Sequence, residues 1–146
     1  MASNAISSVG VKFYRWSSSS EWEAIAEISG VEGPNNTRET IDVTTLDSLD
    51  GYREFIGSFR DGGNVNLTMN FTRITYALFH TDFESDVHGN YKVVLSDTVA
   101  TTLEFEGLVT ECPLAASVGN QVTSNVVIKI TSKPLLYDNS SDAYYI

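Results

Sequence analysis

Apolar and polar residues alternate with a period of two along much of the chain, which is the signature of strands with one face buried and one face wet. The clearest case is 64–72, where Val65, Leu67, Met69 and Phe71 alternate with Asn64, Asn66, Thr68, Asn70 and Thr72. Residues 21–28 read the same way, with Trp22, Ala24, Ala26 and Ile28 on one side and Glu21, Glu23, Ile25 and Glu27 on the other. Lys12 to Trp16, Tyr91 to Leu95, Thr101 to Thr110 and the β-branched run Val126 to Ile130 add four more strands. One segment has helical spacing. From Arg73 to about Ser85, Ile74, Ala77 and Leu78 share a face, Phe79 and Phe83 lie beside it, and Thr72 is placed to cap the first turn. Short strands, one helix and Gly-rich turns predict a mainly β fold, a β-sandwich or partial barrel with one flanking α-helix.

Two stretches do not fit a compact sandwich. Residues 30–63 carry turn signals at Gly33-Pro34-Asn35-Asn36, Asp50-Gly51 and Asp61-Gly62-Gly63, yet keep Ile41, Val43, Leu46, Leu49, Tyr52, Phe55, Ile56 and Phe59. A connection of this length in a small domain is functional or disordered. So many apolar side chains argue against a solvated linker, so the stretch is expected to be a long inter-subunit loop. Within it Tyr52, Arg53, Phe55, Phe59 and Arg60 are the expected anchors, because aromatic and Arg side chains dominate contact energetics. The stretch 134–146 behaves alike, as a C-terminal arm ending in Tyr144, Tyr145 and Ile146.

Length and charge narrow the function. The chain has 146 residues and 16.0 kDa, which suits one domain. Nine Lys and Arg against 19 Asp and Glu give a net charge of -10. That balance disfavours binding to nucleic acid or to an anionic membrane surface, since both depend on Lys and Arg. The lone Cys112 cannot form an internal bridge, and the first residues lack the basic cluster and apolar run of a secretory signal. The four Asn-x-Ser/Thr sequons at Asn35, Asn66, Asn70 and Asn139 are therefore expected to be unused.

Catalytic signatures are missing. Only His80 and His88 could act as an imidazole base, there is no Gly-x-Ser-x-Gly elbow, and neither phosphate-loop pattern occurs. Asp82, Glu84, Asp86 and His88 alternate like a calcium loop, but Val87 stands where that loop needs Gly, and Val93 where it needs a carboxylate. Glu104 and Glu106 could pair for glycoside chemistry, yet they read as a wet strand face. No enzyme, metal site or cofactor is expected.

The run Glu39-Thr40-Ile41-Asp42-Val43-Thr44-Thr45-Leu46-Asp47, then Asp50-Gly51-Tyr52-Arg53-Glu54-Phe55-Ile56 and Phe59-Arg60-Asp61-Gly62-Gly63-Asn64-Val65, resembles the major tail tube proteins of long-tailed, non-contractile bacteriophages. Leu103 to Thr110, Pro113 to Gly119 and Val126 to Thr131 agree, in the family's order. Gly57-Ser58-Phe59 departs from the family's Pro-Gly-Leu-type step. The resemblance implies six-fold rings, inner sheets joined into a continuous barrel, and rings stacked into a tube through which the genome passes. It further implies that the long loop bridges to adjacent rings and that the termini lap onto neighbours, which brings in Tyr144 and Tyr145. Implied partners are sister copies, a tape-measure protein and tail terminator or tip proteins, with DNA in transit and not bound. The implied location is the virion tail, preceded by the host cytoplasm. An acidic wall would keep DNA sliding, and the residues offered for it are Glu21, Glu23, Glu27, Glu104 and Glu106. Patterning leaves open which set faces the lumen. The competing readings are a tube subunit of a phage-related secretion or particle system, and a β-sandwich carbohydrate-binding or adhesion module.

Overall fold

A computed structural model describes residues 5–138. Among the described residues ten strands and one α-helix follow one another: β1 Lys12–Trp16, β2 Trp22–Ala24, β3 Ile28–Glu32, β4 Thr37–Asp42, β5 Phe55–Asp61, β6 Asn64–Asn70, α1 Arg73–Glu84, β7 Gly89–Val94, β8 Thr102–Glu111, β9 Thr123–Ile130 and β10 Leu135–Tyr137. Eight strands form one sheet in the order β2-β1-β7-β8-β9-β6-β3, with β10 also paired to β8. The pairings along that path are antiparallel. β4 and β5 pair only with each other.

The ends of this sheet meet. β2 and β3 are the terminal strands of the path, yet only residues 25–27 separate them in sequence. Laid flat, seven strands would set them about 29 Å apart. The connecting backbone spans at most about 14 Å, so the sheet must curl. The link is stitched on both sides: Ile25 N–H donates to the Phe13 carbonyl of β1 at 2.9 Å, and Asn70 N–H of β6 donates to the Glu27 carbonyl at 2.9 Å. The result is the partial barrel with one flanking helix that the pattern predicts. Its filling is one cluster containing Phe13, Ile25, Val65, Leu67, Met69, Phe79, Tyr91, Val93, Phe105, Val109, Val126, Ile128 and Ile130.

Residues 21–28 are not one strand. Glu27 has φ 63°, a left-handed conformation that ends the ladder to β1 and turns the chain toward β6. The buried residue of the corner is Ile25, while Ala24 and Ala26 are exposed, the reverse of the expected faces. The helix also turns a different side inward. Thr72 caps it, its hydroxyl accepting from Thr75 N–H at 3.3 Å. The buried residues are Thr75 and Phe79, with Leu78 packed against the core, whereas Ile74 and Phe83 are exposed. A polar lock explains the rotation. Asp82, one turn beyond Leu78 and Phe79, takes both a bidentate grip from Arg15 at 2.7 and 2.6 Å and a hydrogen bond from the Tyr91 hydroxyl at 2.8 Å. Counting apolar letters cannot see a buried stripe that contains Thr and Asp.

Candidate assembly surfaces

The expected loop at 30–63 is largely strand. It contains β3 and then a β4–β5 hairpin that no other strand among the described residues pairs with. At its root the outgoing and returning chains nearly touch. A Cβ on Gly33 would collide with the Asn64 carbonyl oxygen, and one on Gly63 with that of Asn35, and both glycines have positive φ. Asp61 ties the root to the body, accepting from Gly63 N–H at 2.8 Å and from Lys129 Nζ at 3.1 Å. These two donors, Gly63 first, hold its carboxyl below the ordinary value.

Ile41 stands opposite Ile56, and Asp42 opposite Phe55. A bulge between the Arg38 and Thr40 pairings breaks the alternation along β5, so Phe55 shares a face with Arg38 and Arg60 while Ile41, Ile56 and Phe59 lie on the other. All of these apolar residues are exposed, Phe59 by 81%. A hairpin with uncovered apolar residues on both faces has neither face laid on its own barrel.

The tip directs polar groups inward and apolar groups outward. The Thr44 hydroxyl oxygen accepts from Glu54 N–H at 2.7 Å, Thr45 N–H donates to Ser48 Oγ at 3.0 Å, and that hydroxyl donates to Glu54 Oε2 at 2.6 Å. Asp42 accepts from Thr44 N–H at 2.9 Å and pairs with Arg53 at 2.9 Å. Hydrogen bonding from Thr44, then from Arg53, lowers the Asp42 pKa. What remains outside is Leu46, Leu49 and Tyr52, the last 75% exposed. Of the expected anchors, Tyr52, Arg53, Phe55, Phe59 and Arg60 thus sit together on one projecting element and are exposed. Tyr144 and Tyr145 lie outside the described residues.

The five acids offered for a lumen do not share a face. Glu23 is on the core side, bonded to Arg15 Nη1 at 2.7 Å. Glu104 and Glu106 alternate onto the opposite side of the sheet, Glu104 opposite Lys92, and Glu106 against His88 Nδ1 at 2.9 Å. Glu27 sits at the corner, accepting from Asn70 Nδ2 at 3.1 Å, and Glu21 ends the β1–β2 turn, its carbonyl accepting from Ser17 N–H at 2.8 Å. That same outer side carries an aromatic patch that alternation alone does not mark. Trp16 and Trp22 meet edge to face at 5.1 Å, and Lys92 Nζ lies 4.6 Å from the Trp22 ring and 5.1 Å from Tyr14. Burial lowers the Lys92 pKa. Its signal was the spacing of Tyr14 and Trp16 on one side of β1.

The groups weighed for catalysis are spread out. His80 is on the helix surface 3.8 Å from Glu84, and His88 is held by Glu106. Cys112 receives the Tyr76 hydroxyl on its carbonyl at 3.1 Å, and burial raises its thiol pKa. Asp82, first in the calcium-like run, is occupied by Arg15 and Tyr91. Among the described residues no three His, Cys, Asp or Glu gather in a way that could hold a metal ion.

A curled sheet with one covering helix and a projecting hairpin recurs in solved structures. A chain of the tail of an empty gene transfer agent particle, refined with C6 symmetry, superposes with a TM-score of 0.69 at 18% identity, covering 85% of this chain and 92% of that one. The chain has the tail-tube fold. The SPP1 tail tube subunit shares it, with a TM-score of 0.69 at 9% identity over 92% of this chain and 80% of that one. So does a chain from the sheath-tube complex of an extracellular contractile injection system in its extended state, at 0.68 and 11% identity, covering 92% and 93%. No protein-family model and no curated protein sequence matches this chain. The likeness to the tail-tube fold is therefore carried by architecture, at identities where individual side chains have diverged.

Proposed function

We propose that this chain is a structural, non-enzymatic tube subunit of a phage or phage-like injection machine, its copies closing into hexameric rings that stack into a conduit. The observation that carries this reading is the hairpin, whose apolar residues on two faces and at the tip are left uncovered by the other described residues. Each large apolar side chain moved from water into a contact contributes about 1.5–3 kcal/mol. Leu46, Leu49, Tyr52 and Phe59 together thus offset much of the roughly 4–15 kcal/mol that association costs in lost freedom. A head-to-tail contact that closes by rotation makes a ring, and translation of the ring makes a tube.

Charge supports the cargo. With a net charge of -10 per chain, repeated copies build a field that repels a phosphate backbone and lets DNA slide. Glu104 and Glu106, which share one side of the sheet, are the pair best placed to line a lumen; Glu21, Glu23 and Glu27 are dispersed. In this reading the subunit resides in the virion tail after leaving the host cytoplasm. It contacts a tape-measure protein inside and terminator or tip proteins at the ends. Electron microscopy of the concentrated full chain tests it. Tubes or rings of uniform width are expected, and particles that stay monomeric at every concentration would overturn it.

A further inference from the structure

In a chain this acidic, cations converge on one place. Arg38 and Arg60 at the hairpin root, Lys129 of β9 and Lys133 beyond it border a cleft of about 870 Å³ whose walls include Ile130 and Leu136. These are four of the nine Lys and Arg residues. Asp61 is the single acid among the lining residues, so the cleft carries +3 within a molecule of net charge -10. Arg38 and Arg60 stand directly opposite each other across the β4–β5 ladder. Like charges so placed repel, and among the described residues neither forms a salt bridge. A root built this way is stabilised when an anion arrives, and its apolar wall suits one that brings greasy side chains along.

The hairpin tip has the inverse composition. Residues 42–54 contain Asp42, Asp47, Asp50 and Glu54 against Arg53 alone, a net charge of -3, and they display Leu46, Leu49 and Tyr52. A tip cannot fill the cleft at its own root. The ladder holds the strands paired from Thr37↔Asp61 to Asp42↔Phe55, which separates the two by about 17 Å of stiff hairpin. The geometry points to the cleft as the receptor for the hairpin tip of a second copy, the acids of the tip meeting Arg38 and Arg60 while its apolar residues lie along the half-buried Leu103 and Leu136. This deepens the tube reading and rests on it. The contact joins unlike patches, so every copy added still presents one tip and one cleft, and the assembly propagates.

Charge reversal from both sides tests this on the full chain. Arg38→Glu with Arg60→Glu reverses the cleft, and Asp47→Lys with Asp50→Lys reverses the tip. All four residues are exposed, and thermal melts of the two variants check that they fold. Each variant alone should need at least a ten-fold higher concentration to assemble. An equimolar mixture of the two should assemble as the unaltered chain does, because reversed tips then meet reversed clefts. Unaltered assembly of either variant, or failure of the mixture to recover, would overturn the proposal while leaving the tube reading intact. Loss of duplex DNA binding in the cleft variant, with assembly unchanged, would assign the cleft to nucleic acid and overturn it too. If the unaltered chain never associates, both readings fall.

Discussion

Arg53 reaches across the neck of the hairpin to Asp42, Nη1 to Oδ2 at 2.9 Å, where the ladder gives way to the tip. Both side chains are largely in water, so the pair adds little to overall stability. Its role is local, holding the acidic tip in one shape. Arg53→Glu places a third acid beside Asp42 and Glu54. The expected outcome is a melting temperature close to that of the unaltered chain, as for an ordinary surface substitution. Hydrogen exchange at Thr44 and Glu54 should be faster and assembly weaker. Unchanged exchange at the tip would refute the local role.

The barrel and helix are joined by the Arg15–Asp82–Tyr91 network. Hydrogen bonds to Asp82, followed by those to Glu23, raise the Arg15 pKa and keep it charged, while burial pushes the Tyr91 phenol well above its ordinary range. Asp82→Ala leaves the Tyr91 hydroxyl and two guanidinium donors without their acceptor. Charged hydrogen bonds of this kind are worth about 2–3 kcal/mol in a mutational comparison, so the urea midpoint should fall accordingly. A change below about 0.5 kcal/mol, the level typical of an ordinary surface substitution, would show that the packing of Phe79 and Leu78 holds the helix without the network.

At the barrel corner, Glu27 holds φ 63°. A left-handed conformation costs an ordinary residue roughly 1–2 kcal/mol, so Glu27→Gly should equal or exceed the unaltered stability even though it gives up the Asn70 side-chain bond. Glu27→Val should lower stability by a similar amount. Equal urea midpoints for the Gly and Val variants would mean that the corner is not fixed in this geometry.

Much of this architecture is legible in the letters, and the failures are instructive. Strict alternation located β6, β8 and β9, and Thr72 marked the start of the helix. Alternation then ran on through 21–28 because a left-handed residue at a corner need not change the hydrophobic pattern. β4 and β5 escaped notice for the opposite reason: with Ile41, Phe55, Ile56 and Phe59 on both faces, a hairpin without a buried side has no period to read. The cleft cations come from positions 38, 60, 129 and 133, and it is the β4–β5 ladder, with Arg38 opposite Arg60, and the β6–β9 pairing, with Asn64 opposite Lys129, that bring them together.

The hairpin root should respond to acid. Asp61 has its pKa lowered from 3.8 by Gly63 N–H first and Lys129 second. A carboxyl whose folded value is depressed stabilises the fold above its unfolded value, and that contribution is lost as pH falls through the lower folded value. The Gly63 amide resonance should therefore titrate with a midpoint below 3.8. A midpoint at or above 3.8 would show that Asp61 does not anchor the root.

The central claim is that sister copies cover what the hairpin leaves bare. Residues 43–54 can be replaced by Asn-Gly, a two-residue connection suited to closing a strand pair, which removes Leu46, Leu49 and Tyr52 and leaves the barrel intact. Sedimentation velocity on this variant beside the unaltered chain, across a range of concentrations, reads the claim directly. The account predicts matching thermal melts, large particles from the unaltered chain and only small species from the shortened one; equal assembly by both would contradict it.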